Sequence, residues 1–137
     1  MPCPAPTSGP SRTATVRLPL PASPDAPGHA RAVVAGLGSS LDARERHALE
    51  LVASELVTNS VRHSGARPGQ ELELALSAEP GVVRLAVEDP GAGFDLDAHG
   101  PTPRRLGGWG LALVAELVDR WWVECGPPTR VVCELDR

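Results

Sequence analysis

A short glycine cluster stands immediately before a segment with helical periodicity: Gly107-Gly108-Trp109-Gly110-Leu111. Glycines at the beginning of a helix leave backbone amides and the positive end of the helix dipole accessible to an anion, and phosphate is the obvious example. A flexible connection before an ordinary helix has the same composition, and a single Gly-x-Gly does not distinguish the two. The cluster is therefore a candidate phosphate site only in combination with other residues.

An acidic residue, Asp89, follows a strand-like stretch at residues 82–88. Alternation places Asp89 on the same inward side as Val83, Leu85 and Val87. An acid at the inner end of a core strand is unusual. However, Asp-Pro-Gly is also common turn chemistry, in which the carboxylate bonds the backbone that follows, so a turn and a binding site stay equally open.

Three polar residues, Glu55, Asn59 and His63, are spaced four apart on a segment with helical periodicity. At 100° per residue they form one line, and this line borders the apolar stripe of the helix. Polar groups at the edge of a buried face need partners, which makes the line a candidate site. A solvated flank explains Glu55 and Asn59 as well, and His63 near the helix C-terminus also complements the helix dipole.

All 13 basic side chains are arginine. The P-loop needs Gly-Lys-Ser/Thr, and the protein-kinase fold needs a strand lysine beside the ATP phosphates. Both are excluded here. Any nucleotide chemistry must instead use backbone amides, arginine or a magnesium ion.

Length and composition fit one globular domain, with 137 residues, 42% of them hydrophobic, and a net charge of −4. A chain of this size can bury a core without disulfides or a structural metal. The negative balance argues against a nucleic-acid binder that relies on broad positive charge, although Arg104-Arg105 is a local basic spot.

The cysteines and the first residues indicate the compartment. Cys3, Cys125 and Cys133 form no Cys-x-x-Cys pair and are odd in number, so reduced thiols are the simpler interpretation. Residues 1–12 are rich in Pro and Ser without an apolar run, and no later stretch approaches membrane-spanning length. We expect a cytoplasmic protein without membrane contact, with a disordered tail at 1–12 and one domain at 13–137.

Periodicity predicts the element order β-α-α-β-β-loop-α-β-β. Strands are expected at residues 13–20, 71–77, 82–88, 121–125 and 130–135, and helices at 23–37, 42–64 and 109–120. Ser23-Pro24 resembles the start of the first helix, while Asp42 and Glu45 form a capping box for the second. This order predicts an α+β fold, a two-layer sandwich of a mostly antiparallel mixed sheet covered on one face by about three helices.

The segment between Asp89 and Gly108 lacks periodicity and is rich in Gly, Pro and Asp. It is much longer than the usual connection between elements, and loops of that length in compact domains tend to be functional. The candidate residues thus flank a hairpin and a long loop.

Taken together, these features resemble the GHKL ATPase superfamily, the Bergerat-fold proteins that include gyrase, the sensor histidine kinases and the bacterial anti-sigma-factor serine kinases. Residues 54–63, Ser-Glu-Leu-Val-Thr-Asn-Ser-Val-Arg-His, look like the N-box of that family. Asp89-x-Gly91-x-Gly93 looks like its G1 box and Gly108-x-Gly110-Leu111 like its G2 box. Each box is short, but the joint order and spacing across residues 13–135 are specific.

The resemblance implies ATP and Mg²⁺ as cofactors. Asn59 would coordinate the magnesium ion, and Glu55 would be the general base. Asp89 would accept a hydrogen bond from the adenine amino group, with Gly93 leaving room for the base. Thr129 would support this contact, although a plain threonine at the start of a strand explains it equally well.

The G2-box glycines Gly108 and Gly110 would contribute amides to the phosphates, and the residues between the boxes would form a lid. The remaining residues of the implied nucleotide site are His63, Gly91, Arg104, Arg105, Trp109 and Leu111.

A stand-alone domain with this N-box and a short lid most resembles the anti-sigma-factor serine/threonine kinases. Such a protein binds a sigma factor, phosphorylates a serine on a small antagonist protein, and often dimerises through its sheet. Trp109 stands where relatives carry a polar or basic residue, and the lid has Arg104-Arg105 but no lysine. Two alternatives therefore stay open, namely a non-catalytic module that binds protein in response to nucleotide, and a relative that has lost nucleotide binding.

Overall fold

The computed structural model describes residues 14–63, 69–90, 108–124 and 126–137, with the side chains of His63 and of residues 108–111 outside that description. Five strands and three α-helices are present in these ranges. In chain order they are β1 (Ala14–Pro21), α1 (Ala26–Ala35), a 3₁₀ turn (Gly38–Ser40), α2 (Ala43–His63), β2 (Glu71–Glu79), β3 (Val82–Asp89), α3 (Gly108–Leu117), β4 (Arg120–Glu124) and β5 (Thr129–Asp136).

The strands form one sheet in the order β1-β2-β3-β5-β4. Every pairing between these strands is antiparallel, so the parallel pair that a mixed sheet would contain is not found in the described part of the chain. The three helices cover one face of the sheet, which confirms the α+β sandwich. No described helix is both long and apolar enough to cross a membrane.

The core lies between the sheet and the helices because the strands alternate as the sequence predicts. Leu72, Leu74 and Leu76 of β2 are buried on the helix side, while Glu73 and the other odd-numbered residues of that strand are more exposed. Buried residues of all three helices pack against this inner face, including Ala30, Val34, Val52, Leu56 and Val114.

The β2–β3 hairpin sets which residues of β3 face inward. Its turn is Pro80-Gly81, where Gly81 has a φ of 91°, a left-handed conformation that favours glycine. The hairpin pairs Leu74 with Val87. This register places Asp89 at the inner end of β3, as alternation predicts.

The start of α1 differs from the prediction. The N-cap is Asp25, a proline lies in the first turn, and Ser23 is part of the preceding turn. The Ala26 amide donates to the Ser23 carbonyl oxygen at 3.0 Å, so the chain completes a turn after β1 before the helix begins.

The N-terminal end of α2 is fixed by a capping box and a buried ion pair. The Asp42 amide donates to Glu45 Oε1 at 2.9 Å and the Glu45 amide to Asp42 Oδ1 at 2.7 Å, as predicted. Arg137 Nε lies 3.0 Å from Glu45 Oε2, with side chains 5% and 3% exposed. The same guanidinium donates to the Ser40 carbonyl at 2.7 Å and the Glu79 carbonyl at 3.2 Å. Arg137 therefore ties α2 to the turn before it and to the β2–β3 hairpin.

The open face of the sheet carries paired charges. Arg120 donates to Glu134 at 2.9 Å and also pairs with Asp136, and Arg84 pairs with the same Glu134. The hydrogen bonds from Arg120, followed by those from Arg84, lower the pKa of the Glu134 carboxyl. The hydrogen bond from Arg120 likewise lowers the pKa of Asp136. Arg84, Arg120 and Asp136 are exposed and Glu134 is partly buried, and solvent screening of the exposed partners makes such pairs weak.

Candidate functional site

Asp89 lies at the inner end of β3 and is 3% exposed. It is the register partner of Thr129, the first residue of β5, which is completely buried. Directly paired residues of an antiparallel sheet point to the same face, so both side chains lie beneath the helices. The structure thus brings together two of the residues that the sequence places in an adenine site.

Ser60 of α2 reaches the same place from above. Its hydroxyl donates to Asp89 Oδ2 at 3.4 Å, and Ser60 is 4% exposed. The buried cluster of Ser60, Asp89 and Thr129, which we call the acid cluster, therefore joins α2, β3 and β5.

Ser60 is absent from the set of site residues predicted from the sequence. A signal was available, because Ser60 follows Val52 and Leu56 at intervals of four and so continues the buried stripe of α2. A hydroxyl in that position requires a buried partner.

Asn59 lies on the flank of α2 and is 5% exposed. Its amide nitrogen Nδ2 is buried and has no hydrogen-bond partner in the part of the chain that the structure describes. Leaving a buried polar group unsatisfied costs about 1–3 kcal/mol, so such an atom requires an explanation. A bound ligand is the explanation that fits a polar residue on the flank of a helix that also contacts α3.

The same side chain fits a magnesium ion in its chemistry. Rotation of an asparagine amide by 180° exchanges its nitrogen and oxygen, and the choice between them follows from the partners. Magnesium prefers oxygen ligands and is held in nucleotide sites by few protein groups together with the phosphates. Asn59 can supply such an oxygen.

Glu55 lies one turn before Asn59 on the same flank and is half-buried. Its side chain makes no hydrogen bond or ion pair with another residue within the described ranges. A carboxylate that is accessible and not engaged in an ion pair can accept a proton from a bound reactant.

Helix α3 begins at Gly108, so Gly108, Trp109 and Gly110 form its first turn. The first amides of an α-helix have no partner within the helix and point along its axis with the positive end of the dipole. The backbone at this position is therefore suited to an anion. What the side chains of Trp109 and Leu111 contact lies outside the described residues.

The other predicted site residues cannot be placed. Gly91, Gly93, Arg104 and Arg105 lie outside the described residues, as do the proposed lid and the tail at 1–12. The backbone of His63 ends α2, but its side chain is not described.

A pocket of about 280 Å³ opens beside Asp89 at the end of β3. Carboxylates and prolines line most of it, namely Pro19, Glu71, Leu72, Glu73, Glu88, Asp89, Pro90 and Pro128. Several like charges so close together repel phosphate. The backbone amides suited to an anion lie on the helix side instead, in the first turn of α3.

Comparison with known proteins agrees with this fold. The family model of the histidine kinase-like ATPase domain matches residues 20–133, which include Glu55, Asn59, Asp89 and Thr129. A solved structure, the histidine kinase domain from Erythrobacter litoralis EL346 blue-light activated histidine kinase, is similar in fold, with a TM-score of 0.55 and 21% sequence identity. The similarity covers 84% of this chain and 60% of that one, so this chain spans less than two-thirds of its length. No curated protein matches the sequence.

Proposed function

The chain belongs to the family of histidine kinase-like ATPase domains, within the GHKL superfamily, and on that premise we propose that it is a regulatory serine/threonine protein kinase that uses Mg²⁺ and ATP. The observation that carries the proposal is the buried amide nitrogen of Asn59, one turn beyond Glu55, which has no hydrogen-bond partner among the described residues. A family that binds ATP supplies the ligand that this amide lacks.

In this proposal the two ends of the nucleotide meet different elements. The acid cluster receives adenine, where the Asp89 carboxylate accepts a hydrogen bond from the exocyclic amino group and Thr129 supports it. The first-turn amides of α3 bind phosphate oxygens. Asn59 holds the magnesium ion, which neutralises phosphate charge when bound.

Glu55 is the proposed general base. The hydroxyl oxygen of a serine on the partner attacks the γ-phosphorus, the bond between that phosphorus and the β,γ-bridging oxygen breaks, and ADP leaves. Glu55 takes the hydroxyl proton. A hydroxyl gains more from a base than an imidazole does, because the imidazole already has an available lone pair at neutral pH, and this favours serine or threonine as the acceptor.

The proposed partners are a sigma factor and a small antagonist protein whose serine receives the phosphate. This part rests on the resemblance of the N-box segment at residues 54–63 to the anti-sigma-factor kinases. A protein of this kind acts in the cytoplasm, and a homodimer through the sheet is compatible with it.

A second candidate is a module of the same fold that binds protein in response to nucleotide without transferring phosphate. Trp109 favours it, because an indole replaces a polar or basic side chain in the first turn of α3. The absence of lysine from the whole sequence favours it too, since one phosphate-neutralising group is missing.

Radiolabelled ATP, Mg²⁺ and candidate antagonists encoded beside the gene distinguish these functions. We expect label on the antagonist that survives acid and is lost in alkali, as for phosphoserine, whereas phosphohistidine is acid-labile. Glu55→Gln, which preserves shape but cannot accept the proton, should abolish transfer and leave ATP affinity within about twofold. Equal labelling by the wild type and Glu55→Gln would exclude Glu55 as the base. Tight ATP binding with no labelled protein would favour the binding module.

A further inference from the structure

We propose that Ser60 is a positioning residue for Asp89 and thereby sets the preference of the site for a purine with an amino group at C6, an assignment that rests on the proposed ATP-binding function. Asp89 touches the base in that function, and Ser60 acts only through Asp89.

The contact between them is a buried tertiary link. Ser60 Oγ and Asp89 Oδ2 lie 3.4 Å apart, and the two residues are 29 positions apart in the sequence. The distance is long for a hydroxyl and a carboxylate, which typically approach to about 2.5–2.7 Å when the hydrogen bond is strong. However, Ser60 is 4% and Asp89 3% exposed, so bulk water does not compete for either group. In that environment even a weak bond can contribute to the orientation of the carboxylate.

Orientation is what an aspartate in this position needs. Rotation about the bond to the carboxylate is soft, with broad rather than sharply staggered minima. A donor fixed on a neighbouring helix defines the plane of the group, and that plane decides whether an oxygen is aligned with a donor on the base. An ionised carboxylate has acceptors only, so it attracts an amino group at C6 and repels a carbonyl oxygen there.

The position of Ser60 on α2 gives the link a second consequence. Ser60 is the next residue after Asn59. One turn of α2 therefore carries the amide proposed for the phosphate side and also the hydroxyl that contacts Asp89 of β3 on the base side. An alanine at position 60 would continue the buried stripe without placing a hydroxyl in the core. A hydroxyl at this buried position needs a partner, and Asp89 is one that lies within reach.

The test compares three nucleotides by fluorescence titration in the presence of Mg²⁺. ATP carries the C6 amino group, purine riboside triphosphate has no substituent there, and inosine triphosphate has a carbonyl. We expect Ser60→Ala to weaken ATP binding about fivefold, the worth of one hydrogen bond, and to leave purine riboside triphosphate unchanged. The ratio of the two affinities is the decisive readout, because a general loss of packing would lower both.

Three variants control the result. Ser60→Thr retains the hydroxyl and should retain the ratio. Ser60→Cys, with a weak donor of similar size, should lower the ratio and provides the same test if Ser60→Ala does not fold. Ser54→Ala removes another hydroxyl from the same helix. The Ser54 hydroxyl accepts a hydrogen bond from Arg31 at 2.8 Å and is not part of the acid cluster, so this variant should leave the ratio unchanged.

A double-mutant cycle completes the design. In the Asp89→Ala background, Ser60→Ala should have no further effect on the ratio, because the group through which it acts is gone. If the wild type prefers ATP and Ser60→Ala leaves that preference intact, Ser60 does not position the acid, while ATP binding itself stands. If the wild type binds none of the three nucleotides, the proposed function fails and this assignment fails with it.

Discussion

The two ends of α2 carry buried polar groups of opposite character. At the N-terminal end, the capping box and Arg137 give the Glu45 carboxylate partners on both oxygens. At the C-terminal end, Asn59 Nδ2 is the one buried side-chain nitrogen or oxygen without a partner among the residues that the structure describes. A polar cluster whose hydrogen bonds are all made stabilises the fold. A buried polar atom without a partner destabilises it, and a ligand that bonds this atom gains that free energy on binding.

The contrast separates stability from binding on one helix. Breaking a buried ion pair leaves a charge without compensation, which is costly. Removing a group that already lacks its partner relieves a cost instead. Substitutions at the two ends should therefore affect different measurements.

Arg137→Met should have the largest effect on stability. The Glu45 carboxylate would stay buried without its partner, and we expect a loss of about 3–5 kcal/mol in the free energy of unfolding measured by urea denaturation. The double variant Glu45→Gln/Arg137→Met removes the stranded charge and keeps a capping-box side chain, so it should recover at least about half of that loss. A loss below about 1 kcal/mol in the single variant would contradict a structural role for the pair.

Asp89→Ala should have the largest effect on binding. Loss of the acceptor for the adenine amino group should weaken ATP affinity between about tenfold and a hundredfold, the range for hydrogen bonds to charged groups. Glu88→Ala is the matched control, because it removes a neighbouring carboxylate that faces the other side of the sheet. Equal weakening by the two variants would place the base elsewhere.

Asn59→Leu should raise stability while it removes binding. The substitution replaces the unpartnered amide with an apolar group of similar size, and we expect the free energy of unfolding to rise by up to about 1 kcal/mol. Mg²⁺ and ATP should raise the melting temperature of the wild type by mass action and leave that of Asn59→Leu unchanged. A destabilised variant that still responds to nucleotide would contradict this assignment.

Arg120→Gln should have the smallest effect, and this effect should disappear in acid. Arg120 lowers the pKa of Glu134 and Asp136, so its stabilisation is present above their ordinary range and is lost as the pH falls through the lowered values. The gap in melting temperature between wild type and variant should therefore close below about pH 4 and shrink in high salt. A gap that persists in acid would point to packing of the arginine stem rather than to charge.

The sheet and helices could be predicted because each strand alternates cleanly. The alternation of hydrophobic residues in β2 and β3 specifies which residues face inward. Continuing the alternation of β3 by one step predicts that Asp89 also faces inward. The capping box at Asp42 and Glu45 is equally local. These features depend on neighbours within a few residues, where the chemistry of the sequence is direct.

Other features depend on distant partners and carry no local pattern. Arg137 and Glu45 are 92 positions apart, and nothing near Arg137 indicates that it is buried. The contact of Ser60 with Asp89 depends on how α2 packs against the sheet, which no local pattern specifies. The predicted start of α1 at Ser23 was wrong because the chain first completes a turn there. Such a turn uses the same residue types as a helix cap.

Cys133 gives the protein an internal reporter of its own opening. It lies in β5, fully buried, and pairs with Leu85 of β3 and Trp121 of β4. Burial raises the pKa of its thiol to about 12. Alkylating reagents react with the thiolate, so at neutral pH the labelling rate at this position measures how often β5 separates from its neighbours. β5 also begins with Thr129, so a nucleotide that closes the acid cluster should slow labelling, and mass spectrometry of the Cys133 peptide would record occupancy as a rate.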